Sequence, residues 1–176
     1  MNKLVKNTFL TIILSSIGLQ SATAETILPY KVQITGGRIP TTMVRDERGD
    51  WKPFIEWASL YFVGGGYPPK VRADQVTYRL NKYAAKYPTY TFLTHGWTDT
   101  QIPYICLTDV KGSDCKLYLY ALRDNQDGEK VVDSIRKFHK GGNRTAPIEE
   151  APCRTYLDLN AIRHGKKIIS DKVCGI

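Results

Sequence analysis

IPYICLTDVKGSDCKLYLYAL, at residues 102–122, is the segment from which the fold class follows. Two runs rich in aromatic and branched apolar residues, 102–108 and 115–122, flank a polar stretch that contains Gly112. This pattern predicts two antiparallel strands joined by a turn. Cys106 and Cys115 then fall near opposite positions of the hairpin, within reach of a cross-strand disulfide if the register agrees.

Two further elements are clear from their periodicity. Residues 30–35 alternate as a half-buried strand does, and Gly36 and Gly37 end it. A helix is predicted from an N-cap at Asp74 to Pro88. Its apolar positions recur at helical spacing and should face the core: Val76, Leu80, Tyr83, Ala84 and Tyr87.

The remaining elements have weaker patterns. Residues 43–52 are highly charged and predict a solvated loop, whereas residues 54–63 fit one face of a short helix, with a strand as the alternative. Residues 90–94 predict a strand followed by a loop over 95–101. A second helix should start near Asp127 and close at Gly141, a helical turn should span 158–164, and a last strand should span 167–173. Strands and helices that do not alternate regularly favour an α+β domain, with an antiparallel sheet and two to three helices.

The first 24 residues have the composition of a secretory signal peptide. Lys3 and Lys6 precede an apolar stretch over 9–19, and small residues end at Ala24. An uncleaved membrane anchor is the alternative, but this stretch is shorter than the roughly 20 residues that span a bilayer. We therefore expect a signal peptide at 1–24 and one exported domain at 25–176, periplasmic or secreted, with no later transmembrane segment.

The four cysteines indicate an oxidising compartment. All of them lie after the signal peptide, and an even number in an exported chain predicts two disulfides with three possible pairings. We favour Cys106 with Cys115 and Cys153 with Cys174, because the first pair flanks a turn and the second would fasten the last strand. Zinc binding is disfavoured because no Cys-x-x-Cys occurs, and we expect neither a metal nor a cofactor.

The net charge of +8 is concentrated near the carboxyl terminus. Residues 130–176 carry ten basic and five acidic residues, whereas residues 25–129 carry thirteen and twelve. Such a basic surface suits a protein partner or an anionic envelope or cell-surface polymer, although it also serves solubility. Nucleic acid is the least favoured partner because no reader motif accompanies the charge. The basic binding candidates are Arg136, Lys137, Lys140, Arg163, Lys166 and Lys167.

Residues 92–100, FLTHGWTDT, carry the best catalytic candidate, His95. The string resembles the oxyanion-hole loop of lipase-like α/β-hydrolases, which implies backbone N–H groups placed against a developing charge. No Gly-x-Ser-x-Gly follows, however. A similar His-Gly-aromatic string occurs in secreted acid ribonucleases, but the second histidine motif of those enzymes is incomplete here. Asp99 or Asp109 is placed to orient His95 if it acts as a general base.

Aromatic residues supply a second set of binding candidates. The chain has eleven Tyr and three Trp, and exposed aromatic rings give contact area at little entropic cost. Coverage of one sheet face by alternating tyrosines is the structural alternative. The aromatic candidates are Trp97, Tyr104, Tyr118 and Tyr120.

These patterns favour an exported, small, basic binding protein, such as an inhibitor, an immunity factor or a toxin-associated subunit. One competing hypothesis is a small secreted hydrolase or nuclease that uses His95. The other is a structural component of the envelope or cell surface. Because no coherent catalytic set is visible, binding is favoured over enzymatic activity. The sequence carries no signal for the oligomeric state.

Overall fold

The first sheet is a three-stranded antiparallel meander. The computed structural model describes residues 28–139, 153–166 and 171–174. Strands β1 (Tyr30–Thr35), β2 (Ile39–Arg45) and β3 (Trp51–Glu56) pair in chain order. A 3-10 turn at Gly36–Arg38 joins the first two strands, and Gly37 adopts a φ of 79° that favours glycine. The predicted strand at residues 30–35 and its end at Gly36 are confirmed.

The second sheet has five strands in the order β6-β5-β4-β7-β8. Its strands are β4 (Phe92–Trp97), β5 (Pro103–Thr108), β6 (Leu117–Ala121), β7 (Cys153–Asp158) and β8 (Asp171–Cys174). The pairs between these neighbours are antiparallel. The hairpin predicted at 102–122 therefore forms β5 and β6.

Two helices pack against both sheets. Helix α1 (Pro69–Lys86) packs on β1, β2 and β6, while α2 (Gly128–His139) packs on β3, β4, β5 and β7. The short helix α3 (Leu159–Arg163) starts at Asp158, whose carboxylate accepts from the N–H groups of Asn160 and Ala161. The core includes residues of both sheets and of all three helices. The predicted class, a small single α+β domain, is confirmed. The strands form two antiparallel sheets, whereas the sequence predicted one.

Residues 43–52 do not form a solvated loop. Met43 and Val44 lie in β2 and are buried, and the chain turns only at residues 46–50. The Asp46 carboxylate accepts from the N–H groups of Arg48 and Asp50 at 3.1 and 2.8 Å. The charged residues thus build a tight hairpin turn, and the prediction failed because their polarity masked the strand ends on either side.

The short helix expected at residues 54–63 is also absent from the structure. Phe54 and Ile55 are buried in β3, where Ile55 lies opposite Thr42 of β2. The strand alternative is the correct one for this end of the segment, as its aromatic content allowed. Residues 57–62 have no regular structure before a 3-10 turn at Val63–Gly65.

Helix α1 begins five residues before the predicted N-cap. Pro68 is the N-cap residue and Pro69 occupies the first helical position, where its missing N–H costs nothing. Asp74 instead lies inside the helix and forms an ion pair with Lys70 at 2.6 Å. The predicted inward positions Val76 and Leu80 are buried, as expected.

A disulfide joins Cys106 of β5 to Cys115, just before β6, with a Cα–Cα distance of 5.6 Å. The predicted first pairing is confirmed. In β7 and β8 the backbone register sets Cys153 opposite Cys174, which is compatible with the second pairing; that bridge remains a prediction.

Several sequence predictions lie outside the described residues. These are the signal peptide at 1–24, the helix end at Gly141, and residues 167–170 of the predicted last strand. Among the residues that are described, no helix has the length and apolarity to cross a membrane.

Candidate functional site

A cleft of about 530 Å³ opens between β3, the end of β6 and α2. We call it the β3–α2 cleft. Its volume is within the range of small-ligand sites, roughly 300–1,000 Å³. The walls combine polar groups with aromatic and aliphatic side chains, the largest of which are Phe54, Trp57, Phe62, Tyr120, Ile135 and Phe138.

Trp57 is held in the wall of the cleft by buried hydrogen bonds. Its indole N–H donates to the Thr42 hydroxyl at 2.9 Å, and that hydroxyl lies 3.0 Å from the hydroxyl of Thr77 on α1. The ring also meets Tyr120 edge to face, with centroids 5.1 Å apart. These contacts tie β2, α1 and β6 together, so this wall of the cleft is rigid.

Arg72 of α1 places a half-buried cation in the cleft. Its guanidinium carbon lies 5.1 Å from the centroid of a Trp57 ring and 4.4 Å from that of Phe62. Burial lowers the pKa of Arg72, while the Tyr120 and Tyr118 hydroxyls act in the opposite direction. Among the described residues no oxygen accepts a hydrogen bond from its N–H groups. The aromatic faces attract the positive charge but do not accept conventional hydrogen bonds.

The other charges of the cleft include one local pair. Asp127 caps α2, accepting from the N–H groups of Glu129 and Lys130 at 2.9 and 3.2 Å, and its carboxylate also lies 3.3 Å from the Lys130 ammonium. Asp127 therefore neutralises Lys130. Arg123 instead lies over the ring of Tyr61, 5.7 Å from its centroid. Arg72 and Arg123 are the cations of the cleft that lie over aromatic rings.

An exposed apolar segment adjoins the cleft. We call residues 58–67 the 58–67 loop; it leads into α1, and its residues Ala58, Ser59 and Phe62 line the cleft. Leu60 is 70% exposed and Tyr61 57% exposed, and Val63 and Tyr67 are exposed as well. Several exposed apolar side chains close together in the sequence, beside a concave site, are typical of interaction surfaces.

A family model described as Circadian oscillating protein COP23 matches residues 32–163, from within β1 to the last residue of α3. The chain belongs to this family. The matched segment contains every residue described above for the β3–α2 cleft. No curated protein and no solved structure matches the chain.

In this COP23 family member, His95 lies inside β4 rather than in the loop that the sequence predicted. Its side chain faces the start of α2, where a Cβ at Gly128 would come within 2.6 Å of the His95 Cβ. Burial lowers the pKa of His95, Arg154 lowers it further, and Asp127 and Glu129 act in the opposite direction. Its Nδ1 atom is buried and has no hydrogen-bond partner among the described residues. His95 does not line the β3–α2 cleft.

The carboxylates expected to orient His95 lie elsewhere. Asp99 is exposed in the turn after β4, and Asp109 follows β5 at the opposite end of the β4–β5 pair. The acidic groups that influence the pKa of His95 are instead Asp127 and Glu129 at the start of α2. Among the described residues, no group of three His, Cys, Asp or Glu side chains is arranged to hold a metal ion.

The four aromatic binding candidates do not form one surface. They lie on both faces of the second sheet and at the end of β4. Tyr104 and Tyr118 stack with centroids 5.6 Å apart, and Tyr118 is exposed. Tyr120 is buried in the core, because the register shifts within β6: Cys106 pairs with Tyr118, and Ile105 pairs with Tyr120. The bulge turns Tyr120 to the opposite face. Trp97, at the end of β4, is 54% exposed.

The basic candidates are likewise dispersed. Arg136 and Lys137 of α2 are largely covered, and both form ion pairs with Asp133. Arg163 ends α3 and is partly buried, and Lys166 is exposed. Lys140 and Lys167 lie outside the described residues.

Sequence reasoning missed most of the cleft. The sequence predicts a short helix, with a strand as the alternative, for the segment that holds Trp57 and Phe62, and it leaves Arg72 before the predicted start of α1. The available signal was Pro68-Pro69, which marks a helix start and would have placed Arg72 in the first turn of α1. Of the predicted binding residues, Tyr120 lines the cleft.

Proposed function

We propose that this chain is an exported binding protein, periplasmic or secreted, whose partner docks in the β3–α2 cleft and on the 58–67 loop. The observation that carries the proposal is the exposure of Leu60, Tyr61 and Val63 beside a cleft that is lined by aromatic rings. Exposing apolar side chains together is unfavourable in water, and contact with a partner removes that cost. The signal-like residues 1–24 and the disulfide support export.

The partner that best fits this surface is a protein. Leu60 and Val63 offer aliphatic contact area, which suits apolar side chains better than a hydroxylated polymer, and aromatic residues are enriched in protein interfaces. The roles that fit a protein partner are those of an inhibitor, an immunity factor or a toxin-associated subunit. Each of these roles requires the same accessible docking surface.

Site-specific photo-crosslinking tests the docking surface. A photoreactive phenylalanine analogue replaces Leu60 in one variant and Tyr78 in a control variant. Tyr78 is 67% exposed on α1 and does not line the cleft. In the exported fraction of the source cells we expect a discrete crosslinked species from position 60, competed away by excess unmodified chain, and none from position 78. Equal or absent crosslinking at both positions contradicts the proposal.

The competing hypothesis of a hydrolase or nuclease that uses His95 is tested separately. His95→Gln keeps a polar side chain of similar length in the packed site against Gly128. If the purified chain hydrolyses esters, glycosides or RNA, and this variant loses that activity with an unchanged melting temperature, the binding proposal is overturned. We expect the crosslinks at position 60 to persist in His95→Gln.

The family description adds an expectation about timing. The family name refers to circadian oscillation and specifies neither a ligand nor a reaction. We propose that the amount of this chain varies over a daily cycle, which quantitative blotting of cells kept in constant conditions tests directly. A constant amount through two cycles contradicts this expectation and leaves the docking proposal unaffected.

A further inference from the structure

We infer that Arg72 is the receptor for a carboxylate on the docking partner, carried by a peptide segment with an adjacent apolar side chain. The inference rests on the proposed function and names the group that the cleft recognises. Arg72 lines the cleft, is half-buried, and contacts Trp57 and Phe62 at 5.1 and 4.4 Å. A guanidinium in this position is partly desolvated, and the described residues supply no oxygen acceptor for its N–H donors.

Three other partly covered arginines differ from Arg72 in having an oxygen acceptor. Arg136 pairs with Asp133, Arg154 donates to Asp114 at 2.8 Å, and Arg79 donates to the carbonyl of Leu119. Each of these partly covered guanidinium groups has an oxygen acceptor supplied by the chain. Within the described residues Arg72 has none, so an anion entering the cleft gains hydrogen bonds without displacing an internal partner.

The charge balance of the cleft favours a singly charged anion. Arg72, Arg123 and Lys130 line the cleft together with Glu56 and Asp127, so the formal charge of its lining is +1, and Asp127 and Lys130 pair with each other at 3.3 Å. A planar carboxylate brings one negative charge and matches the paired N–H donors of one arginine, whereas the charge of a dianionic phosphate exceeds that of the lining.

The walls of the cleft favour a peptide as the bearer of the carboxylate. Phe62, Val131 and Ile135 line the cleft near the exposed Leu60 and Val63 of the 58–67 loop. Burying an apolar side chain against such walls is favourable in proportion to the apolar area removed from water, a gain that a hydroxylated acidic sugar does not match. A carboxylate next to an apolar side chain therefore satisfies both parts of the site.

The test is a ¹H–¹⁵N NMR titration of the purified, oxidised chain. The probes are acetyl-leucyl-phenylalanine with a free terminal carboxylate, acetyl-phenylalanyl-aspartamide with a side-chain carboxylate, the amidated form of the first peptide, trigalacturonate and inorganic phosphate. The reporters are the Arg72 Nε–H and the Trp57 indole N–H, which is fixed by its bond to Thr42. We expect saturable shifts of both signals with at least one peptide acid, and at least tenfold weaker binding of the amide. Which acid binds tells a terminal from a side-chain carboxylate.

The variants separate this inference from the proposed function. Arg72→Met should weaken binding of the peptide acid at least tenfold, whereas Arg79→Met, which alters a guanidinium outside the cleft, should leave it unchanged. Binding of phosphate or trigalacturonate as tight as that of the peptide acid overturns the inference, as does binding that survives Arg72→Met or an absence of shifts with both acids. When one of these outcomes overturns the carboxylate inference, the docking proposal still stands if position 60 crosslinks a partner in Arg72→Met.

Discussion

His95 and Arg72 are both half-buried basic side chains near α2, but their surroundings differ. His95 is enclosed on strand β4, with Gly128 packed against its ring and the disulfide on the opposite face of the strand. Arg72 lies in an open cleft over two aromatic rings. The residue type most often associated with catalysis thus occupies the closed region. The open region holds an arginine for which the described part of the chain provides no acceptor. Accessibility of the donor group, rather than residue type, indicates where a ligand enters.

Removing the disulfide should have the largest effect on the closed region. A Cβ at Gly96 would lie 2.7 Å from the Cys115 Sγ, so the bridge packs directly on the strand that carries His95. The double variant Cys106→Ala, Cys115→Ala should lose about 2–4 kcal/mol of unfolding free energy, measured by urea denaturation. Ser113→Ala in the same turn is the control and should change little. A loss below about 1 kcal/mol would show that the bridge does not support this region.

Gly128→Ala tests the packing on the other side of His95. The added methyl group would lie 2.6 and 2.7 Å from the Cβ and Cγ of His95, atoms fixed close to the β4 backbone. The resulting strain should exceed the gain in helix propensity and cost roughly 1–2 kcal/mol in thermal or urea unfolding. Gly64→Ala, where no atom lies within 4 Å, is the matched control. Equal stability of the two variants would mean that the His95 site is not tightly closed.

The pH dependence of stability tests the same enclosure electrostatically. Burial and Arg154 lower the pKa of His95, against Asp127 and Glu129, so the unfolded chain binds a proton at this residue more readily than the folded chain does. Stability should therefore fall as the pH drops from about 7.5 through the unfolded pKa of about 6.5 toward the lower folded pKa.

His95→Gln should flatten this part of the profile, measured as urea midpoints at closely spaced pH values. His164→Gln is the control, because His164 is exposed, contacts Glu47 and leaves the His95 site intact. An unchanged slope between pH 5 and 7.5 in His95→Gln would show that His95 remains accessible to protons in the folded state.

The sequence predicted local elements better than the site. The strand at 30–35 and the hairpin at 102–122 depend on alternation and turn residues within one segment, and both form. The start of α1 was misplaced because Asp74 resembles an N-cap, although Pro68-Pro69 sets the true start. Burial of Tyr120 depends on a bulge in β6, which only the register with β5 reveals.

The β3–α2 cleft could not be predicted from sequence because its residues come from separate segments. Trp57, Arg72, Tyr120 and Ile135 meet only when α1 and α2 pack across both sheets. Periodicity assigns each of them to a face of its own element but carries no information about which faces meet. The string around His95 is contiguous in the sequence and can be recognised there, whereas the residues of the cleft are not contiguous.

Of the substitutions considered, Arg72→Met, in the open cleft, should have the smallest effect on stability. Removing the cation loses cation–π attraction of about 0.5–1 kcal/mol. It also removes a partly desolvated charge to which none of the residues placed by the structure gives an oxygen acceptor, so the net change should stay within about 1 kcal/mol. Arg79→Met is the matched variant: Arg79 also lies over a ring, Tyr118, at 5.2 Å, but donates to the Leu119 carbonyl, and its loss should cost about 1–2 kcal/mol. Urea unfolding of both variants measures the difference. If Arg72→Met were the more destabilising of the two, the contacts of Arg72 would stabilise the fold, and Arg72 would be a structural residue.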